Sequence, residues 1–319
     1  MPSLQSRLIV FAMRNSHFLR FQLKREAWNQ NTSISRFRQQ CEAANSRMKM
    51  PVGVAVSPVV IPGVTGIQNR HAEWLIPPEA TKNKVILYTL GGGYVSGSCS
   101  DHRAMVAKIT QGSGVSTLLF DHRLAPEDPY PAALEDAVAA YRWLMVQGIG
   151  PSNIMIVGES AGGGLCLATL LALRDQGIPL PAAAVALSPW TDLTCSGETY
   201  RTNARICLAP PGMSAVCSQY YAGKNDPRLP WISPLYGDLQ GLPPIYICVG
   251  GDETMLDDSI AYAEKAKAAG VDVTLKIWDG MFHCFPLMAP LFPEATQALG
   301  EICAFIQFHI DQERPEDEG

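Results

Sequence analysis

The sequence lacks the cysteine spacings of a structural metal site or a disulfide framework. Its nine cysteines are odd in number and dispersed, and no two of them form a C-x-x-C pair. Zinc sites and disulfide-stapled domains need closely spaced or evenly paired cysteines. We therefore expect mostly buried free thiols and no bound metal.

The N-terminus lacks an apolar run long enough for a secretion signal or a membrane span. The run at residues 8–13 covers six residues and ends at Arg14, whereas a signal core needs roughly 7–15 apolar residues and a spanning helix about 20. We expect a cytoplasmic protein.

No charge of one sign dominates, since the net charge is -5 with 17% charged and 47% hydrophobic residues. This composition is that of an ordinary globular protein and gives no sign of a nucleic-acid partner. Residues 1–50 nevertheless carry nine Lys or Arg against two Glu, a local charge of +7 that leaves -12 for the rest. We interpret them as a solvated basic face packed on an acidic body; the alternative is contact with an anionic membrane.

From about residue 84 onward, short apolar runs alternate with longer helical stretches. This alternation is typical of βαβ units, in which the strands of a mostly parallel sheet are covered on both faces. Strands are predicted at 84–90, 115–120, 153–157, 182–187, 244–249 and 272–278, and helices at 101–111, 131–147, 161–176, 257–269 and 293–310. Partial alternation at 53–61 and 70–76 predicts two antiparallel edge strands, which makes an eight-stranded α/β sheet.

Two regions fall outside this alternation: residues 1–50 look helical, and residues 194–230 are rich in Cys, Tyr, Pro and Gly. We predict that they form a helical cap over a core made of residues 51–193 and 231–319. Aromatic side chains of the cap are candidates for lining an apolar pocket: Phe18, Phe21, Trp28, Tyr220 and Tyr221.

The pentapeptide Gly-Glu-Ser-Ala-Gly at residues 158–162 lies directly between a predicted strand and a predicted helix. The pattern alone is weak evidence, but a tight strand-to-helix turn needs glycines where no Cβ fits, and it lifts the serine hydroxyl above the sheet edge. The N-terminus of the following helix favours negative charge there. Ser160 is therefore the predicted nucleophile.

Three consecutive glycines follow the strand predicted at 84–90. Such a loop lets backbone N–H groups approach a tetrahedral oxyanion closely. We predict an oxyanion hole made of the amides of Gly92, Gly93 and Ala161. The alternative is a phosphate-binding loop, but neither G-K-[ST] nor G-x-G-x-x-G is present.

A nucleophilic serine needs a base, and the base needs an acid that orients it. Asp252 comes just after the strand predicted at 244–249, and His283 comes five residues after Trp278. The chain order Ser, Asp, His is that of the α/β-hydrolase fold. We predict the triad Ser160, Asp252 and His283.

Other acids and histidines near these loops remain candidates for the same roles: His102, His122, Glu253, Asp257 and Asp258. Asp257 and Asp258 stand where a helix begins, and aspartate there is favoured as a cap. The two histidines stand near a helix start and a strand end, where hydrogen bonding alone would explain them.

Several further stretches resemble the bacterial hormone-sensitive-lipase-like esterases and lipases, called family IV. They are Asp-His-Arg-Leu-Ala-Pro-Glu at 121–127, Tyr-Pro-Ala-Ala at 130–133, Ser-Pro-Trp-Thr-Asp-Leu-Thr at 188–194 and Gly-Met-Phe-His at 280–283. The similarity covers nearly all of residues 70–290. It implies an α/β-hydrolase fold with a two-part cap, hydrolysis of esters with short to medium acyl chains, no cofactor and a homodimer. It also implies a structural role for residues 121–127.

The sequence departs from this family at Leu90, where the family motif His-Gly-Gly-Gly has its histidine. The resemblance assigns that histidine to holding the glycine loop by hydrogen bonds. Its absence leaves the loop amides present but removes one means of positioning them, and a misplaced donor weakens transition-state stabilisation. Thr89 or a water is a candidate replacement. Glu159 is a second departure, at a position where the family often has Asp or Thr.

The sequence thus predicts a serine carboxylesterase that acts on a small-molecule ester through an acyl-enzyme. Two alternatives remain open. The same triad would serve an acyltransferase, a deacetylase or another amide hydrolase, and the loss of the histidine at Leu90 allows for an inactive ligand-binding homologue.

Overall fold

The structure is a computed structural model of the chain, and it describes residues 2–15, 27–45, 48–63 and 68–312. Within these residues the strands form one eight-stranded sheet. They are β1 (Ala55–Ile61), β2 (Arg70–Ile76), β3 (Val85–Thr89), β4 (Ser116–Phe120), β5 (Ile154–Glu159), β6 (Ala183–Leu187), β7 (Ile245–Gly250) and β8 (Val273–Trp278).

Helices occupy the connections between the strands and both ends of the described chain. They are α1 (Leu4–Arg14), α2 (Ile34–Asn45), α3 (Cys99–Ser113), α4 (Ala132–Val146), α5 (Ala161–Asp175), α6 (Thr199–Thr202), α7 (Met213–Ala222), α8 (Leu256–Ala268) and α9 (Pro293–Ile310). Short 3-10 turns lie at Pro151–Asn153, Pro234–Tyr236 and Phe285–Met288. The predicted core helices and strands are therefore present, with ends shifted by a few residues.

The sheet has the strand order β1-β2-β4-β3-β5-β6-β7-β8. Strand β2 pairs antiparallel with both β1 and β4, whereas the pairs from β4 through β8 are parallel. The predicted antiparallel strands at the sheet edge are confirmed, as is the α/β-hydrolase architecture. Because the carboxyl ends of parallel strands meet at one sheet edge, the loops after β3, β5, β7 and β8 lie together.

Apolar residues cover both faces of the central strands. Successive side chains of a strand point to opposite faces, and Leu87 belongs to one hydrophobic cluster while Ile86 and Tyr88 belong to the other. Helices α4 and α5 contribute to the first cluster and helices α3 and α9 to the second. Burial on both sides explains why these strands are continuous apolar runs in the sequence.

The N-terminal segment contacts the chain between β6 and β7. The amide of Trp28 donates to the carbonyl of Pro211 at 2.8 Å, and the hydroxyl of Tyr220 donates to the carbonyl of Gln30 at 3.2 Å. These contacts join the two segments expected to form the cap, whose boundaries remain predictions. Across the described residues, no helix combines the length and apolarity that crossing a bilayer requires.

The turn at Ser160 gives a prediction about stability. A Cβ added at Gly158 would lie 2.2 Å from Thr89 Oγ1, whereas one added at Gly300, on the exposed side of α9, would meet no atom within 4 Å. Gly158→Ala should therefore lower the free energy of unfolding by about 1–3 kcal/mol or more. Gly300→Ala should raise it by roughly 0.5–1 kcal/mol, because alanine favours the helix. Urea denaturation measures both, and equal stability of the two variants would contradict the packing described for the turn.

Candidate active site

Ser160 occupies a strained turn between β5 and α5. Its backbone angles are φ 57° and ψ -122°, a conformation that L-residues rarely adopt. The turn is fixed by hydrogen bonds, because the Ser160 amide donates to Leu187 O at 2.8 Å and its carbonyl accepts from the amides of Gly164 and Trp190, each at 3.0 Å. Backbone strain held by such bonds is typical of a functional residue.

The glycines on both sides of Ser160 are required by close packing against β3. A Cβ at Gly158 would lie 2.2 Å from Thr89 Oγ1, and one at Gly162 would lie 2.1 Å from Thr89 O. The hydroxyl of Thr89 donates to Gly162 O at 2.8 Å. The prediction that no Cβ fits at these positions is confirmed, and the same contacts bring the Ser160 turn against the end of the strand that leads into the glycine loop.

His283 lies at the same sheet edge, with its Nδ1 in close contact with Glu253 Oε2. The Glu253 side chain is fully buried, and its other oxygen accepts from Ser188 Oγ at 2.8 Å and from the Gly250 amide at 2.6 Å. Each carboxylate oxygen thus has a partner, as a buried charge requires. A histidine whose Nδ1 meets a fixed carboxylate is held in orientation, with Nε2 left for another proton.

Asp252, the predicted partner of His283, points elsewhere. Its Oδ2 accepts from Arg14 Nη2 at 2.5 Å, and its amide donates to Met281 O at 3.0 Å. The prediction therefore placed the wrong one of two neighbouring acids against His283. Adjacent side chains in a loop leave the backbone in different directions, and here Glu253 turns toward the histidine while Asp252 turns toward α1.

Ser188 connects the loops after β6, β7 and β8, and it is not among the site residues predicted from the sequence. Its Oγ donates to Glu253 Oε1 at 2.8 Å and accepts from the Cys284 amide at 3.0 Å. The backbone of Ser188 has φ 45°, in the left-handed region. Its position directly after a predicted strand, at the start of the stretch 188–194, was the signal that could have identified it.

The surroundings of His283 favour its protonated form. Burial disfavours the imidazolium, but Cys284 and Glu253 beside the ring outweigh burial and raise the pKa of His283 well above its ordinary value. An imidazolium that forms during a reaction is therefore stabilised here.

The glycine loop has the backbone geometry that the oxyanion prediction needs. Gly92 and Gly93 have φ 113° and 66°, both in the region that favours glycine. The Gly92 carbonyl accepts from the amides of Val95 and Ser96 at 3.2 and 3.1 Å, which folds the loop into a tight turn. Within the described chain, the amides of Gly92, Gly93 and Ala161 donate to no protein acceptor. These N–H groups are available to an oxyanion.

Residues of the turn and of the glycine loop line one pocket of about 340 Å³ together with Ser160 and His283. Its remaining wall is mainly apolar and sulfur-containing: Met105, Trp190, Leu208, Ala209, Met213, Cys217, Met255, Cys284 and Leu287. Several of these come from the segment between β6 and β7, as expected for a cap. The chemistry of the wall suits an uncharged, apolar ligand.

Trp190 lines this pocket, but none of the three predicted aromatic residues that the structure describes does so. Tyr221 instead stacks on Tyr94 with ring centroids 3.6 Å apart, and Trp28 meets Phe37 edge-on at 4.7 Å. Tyr220 donates to the backbone of the N-terminal segment. These rings pack the interior, which is their commoner role. Phe18 and Phe21 lie outside the described residues.

The predicted caps of α8 have a different role. Asp258 Oδ2 accepts from the amides of Thr191 and Asp192 at 3.0 and 2.9 Å, and Asp257 Oδ2 accepts from the Thr199 amide at 2.9 Å. Both carboxylates therefore hold the chain that follows β6 rather than the start of their own helix. Burial raises the pKa of Asp258 well above its ordinary value.

The stretch at 121–127 has the structural role that the resemblance implies. Arg123 Nη2 pairs with buried Asp136 at 3.0 Å and with Glu135 at 2.8 Å. Glu127 pairs with Arg38 of α2 at 2.7 Å, and Arg38 Nε also donates to Val95 O at 2.6 Å. These charges join α2 to the loop beneath the site.

Among the residues that the structure describes, one set of metal-ligand types comes together: His71, Cys99 and Asp121 offer donor atoms within 4.8 Å of one another. Burial and the charge of Asp121 raise the pKa of the Cys99 thiol, and a metal requires the thiolate. Arg103, whose charge acts on Cys99, adds a cation nearby. None of the three residues lines the Ser160 pocket.

Comparison with known proteins identifies the family of the chain. A family model of the α/β-hydrolase fold matches residues 86–287. The solved structure of an esterase from the bacterial hormone-sensitive lipase family superposes with a TM-score of 0.87 and 40% identity, covering 97% of this chain and 99% of that one. The chain belongs to the hormone-sensitive-lipase-like esterases of the α/β-hydrolase fold. It is a carboxylic ester hydrolase.

Other relatives of this esterase are similar over most of their length. The acetyl-hydrolase of Streptomyces hygroscopicus is 42% identical over 251 residues, which span 78% of this chain and 83% of the relative. The esterase of Acinetobacter venetianus is 36% identical, spanning 79% and 82%. The esterase EstE5, solved from a crystal soaked with p-nitrophenyl butyrate, superposes with a TM-score of 0.87 at 39% identity and covers 97% of this chain.

The two neighbouring acids give a direct prediction. Glu253→Gln removes the charge against His283 and should lower kcat by about 10²–10⁴-fold. The matched change Asp252→Asn breaks only a partly exposed ion pair with Arg14 and should leave kcat within about threefold of wild type. Steady-state hydrolysis of a p-nitrophenyl ester measures both. A loss in Asp252→Asn as large as that in Glu253→Gln would restore Asp252 as the orienting acid.

Proposed function

We propose that this esterase hydrolyses short- to medium-chain carboxylic esters through an acyl-enzyme on Ser160. The observation that carries the proposal is the convergence of Ser160, His283 and the glycine loop on one apolar pocket. Glu253 contacts His283 on the side away from its Nε2. Among the acids, Glu253 replaces Asp252 as the proposed third member of the triad.

In the proposed mechanism, His283 Nε2 accepts the proton of the Ser160 hydroxyl as the oxygen attacks the ester carbonyl. The amides of Gly92, Gly93 and Ala161 donate to the oxyanion of the tetrahedral intermediate. The imidazolium then protonates the departing alcohol, which leaves the acyl group on Ser160. Water activated by His283 releases the acid and restores the enzyme.

Glu253 has two proposed roles in this cycle. It keeps the His283 ring oriented with Nε2 toward the serine, and its charge stabilises the imidazolium that forms in each half-reaction. The hydrogen bonds from Ser188 and Gly250 hold the carboxylate still, so that it needs no reorganisation when the charge on the histidine appears.

The pocket and the relatives support the substrate class. A wall rich in Met and Leu offers an acyl chain dispersion contacts. One relative is named for acetyl hydrolysis, and EstE5 was soaked with a butyryl ester. Both observations favour small acyl groups, with the cap segments covering the pocket. The homodimer that the resemblance implies remains a prediction.

Replacing the nucleophile tests the proposed function. Wild type should release p-nitrophenol from acetyl, butyryl and octanoyl esters, with the rate falling for palmitoyl, and Ser160→Ala should lose about 10⁴-fold or more in kcat. Activity in Ser160→Ala equal to that of wild type would contradict the mechanism. Adding butanol or supplying an N-acyl substrate separates the alternatives: ester formation that outcompetes hydrolysis indicates an acyltransferase, and faster amide cleavage indicates an amide hydrolase.

The raised pKa of His283 predicts how kcat/KM depends on pH. The base must be neutral, so activity is lost as the pH falls through the raised pKa and is fully present above it. The profile of kcat/KM should therefore inflect above the ordinary histidine value of about 6.5. Glu253→Gln, which removes one raising charge, should move the residual inflection to lower pH. An inflection at or below 6.5 in wild type would contradict the electrostatic description of His283.

A further inference from the structure

Leu90 leaves open how this enzyme holds its glycine loop. The Leu90 side chain is buried in the hydrophobic cluster of α3 and α9 and offers no hydrogen bond. The peptide unit between Leu90 and Gly91 is nevertheless held at both ends: the Gly91 amide donates to Glu159 Oε1 at 2.7 Å, and the Leu90 carbonyl lies 3.4 Å from His122 Nε2. This peptide directly precedes Gly92.

The stronger of these contacts ends in a buried chain of charged groups. Glu159 Oε1 also contacts His102 Nε2 at 2.9 Å, and His102 Nδ1 closely contacts Asp101 Oδ1. All three residues are buried. His102 thus lies between two carboxylates, and the doubly protonated imidazolium is the form of the ring that pairs with both of them.

The electrostatics agree with a permanently charged His102. Burial disfavours the cation, but Glu159 and Asp101 outweigh burial and raise the pKa of His102 to about 10. Burial also acts on Asp101, yet its bonds from His102 and from Ser98 hold its pKa below the ordinary value. His102 and Asp101 therefore stay charged across the pH range in which an esterase is assayed.

Asp101 fixes the cluster to a rigid element. Its side chain accepts from the Ser98 amide at 2.8 Å, while its own amide donates to Ser98 Oγ at 3.3 Å. This reciprocal pair is a capping box at the first turn of α3. The path from the glycine loop through Glu159 and His102 thus ends in a capped helix.

Charge balance gives His102 a second effect. Glu159 directly precedes the nucleophile and lines the same pocket. A bare carboxylate there would repel the oxyanion that forms beside Gly92 and Gly93. The imidazolium of His102 compensates that charge, so Glu159 can hold the Gly91 amide without opposing the reaction.

We propose that Asp101, His102 and Glu159 form a positioning cluster that holds the oxyanion loop in place of the histidine that Leu90 replaces. The proposal rests on the proposed function of Ser160 and the glycine loop. None of the three residues contacts the reacting atoms in this role. They act through the Gly91 amide, by keeping the next two amides aligned with the oxyanion.

A double-mutant cycle tests the cluster. His102→Gln leaves Glu159 uncompensated and should lower kcat for p-nitrophenyl butyrate about 10–100-fold, as expected for misplaced oxyanion donors. Glu159→Gln keeps an oxygen that accepts from Gly91 and should cost only about 3–10-fold. Because the residues act together, the double variant should resemble Glu159→Gln rather than show the product of the two losses.

Two further readouts separate positioning from a general loss of structure. Butylboronic acid forms a tetrahedral adduct with a nucleophilic serine, so its Ki should rise in parallel with the fall in kcat while KM stays within about threefold. Glu73→Gln is the matched control, because it breaks a buried ion pair with Arg103 of α3 at 2.5 Å that does not contact the glycine loop. It should lower the melting temperature but leave kcat and Ki within about twofold of wild type.

Three outcomes of these measurements would overturn the proposal. Unchanged kcat and Ki in His102→Gln, losses that multiply in the double variant, or an equal fall in kcat for Glu73→Gln would each do so. If His102→Gln does not fold, the near-isosteric Glu159→Gln carries the test through its boronate Ki. Failure of the proposed function looks different, since Ser160→Ala would then keep wild-type activity.

A spectroscopic readout needs no catalysis. With ¹⁵N-labelled histidine, both ring nitrogens of His102 should carry protons at pH 8, and Glu159→Gln should abolish this at Nε2. A neutral His102 in wild type at pH 8 would overturn the proposal even if every variant lost activity.

Discussion

The catalytic edge of the sheet depends on one constraint, namely that a carboxylate taken out of water must receive hydrogen bonds. Glu253 is fully buried and meets this need with donors from three loops: the Gly250 amide, the Ser188 hydroxyl and the His283 ring. Satisfying the charge therefore also sets the distances between the loops after β6, β7 and β8. The hydrogen bonds that stabilise the buried Glu253 carboxylate therefore also fix the orientation of the His283 ring.

Two other buried acids also accept hydrogen bonds from loop amides through one of their oxygens. Asp258 accepts from the amides of Thr191 and Asp192, which fixes the chain leaving β6 toward the cap. Glu159 accepts from the Gly91 amide and from His102, which fixes the loop leaving β3. Each acid costs free energy to bury and recovers it only when the loop around it is in one conformation. Buried polar groups at the carboxyl edge of the sheet thus hold the loops of this esterase in position, although most of their neighbours are apolar.

The sequence predicted those features of the fold that depend on contacts between residues close together along the chain. Continuous apolar runs located the parallel strands, and the glycines around Ser160 located the turn, because in both cases the deciding contacts repeat or lie close along the chain. The acid that contacts His283 was not predictable in this way. Asp252 and Glu253 are adjacent and chemically alike, and the choice between them depends on Arg14, 238 residues away, and on Ser188. The role of Glu159 was equally hidden, since its partners lie 57 and 68 residues earlier in the chain.

The length of the Glu253 side chain affects which contacts the neighbouring Asp252 can make. Glutamate is one methylene longer than aspartate, and Glu253 uses that length to reach His283 while its other oxygen stays bound to Gly250 and Ser188. Asp252 is then available to pair with Arg14, whose Nε also donates to Ile206 O at 2.9 Å in the segment between β6 and β7. The two segments predicted to form the cap are thereby joined to each other and to Asp252, one residue before the acid that contacts His283.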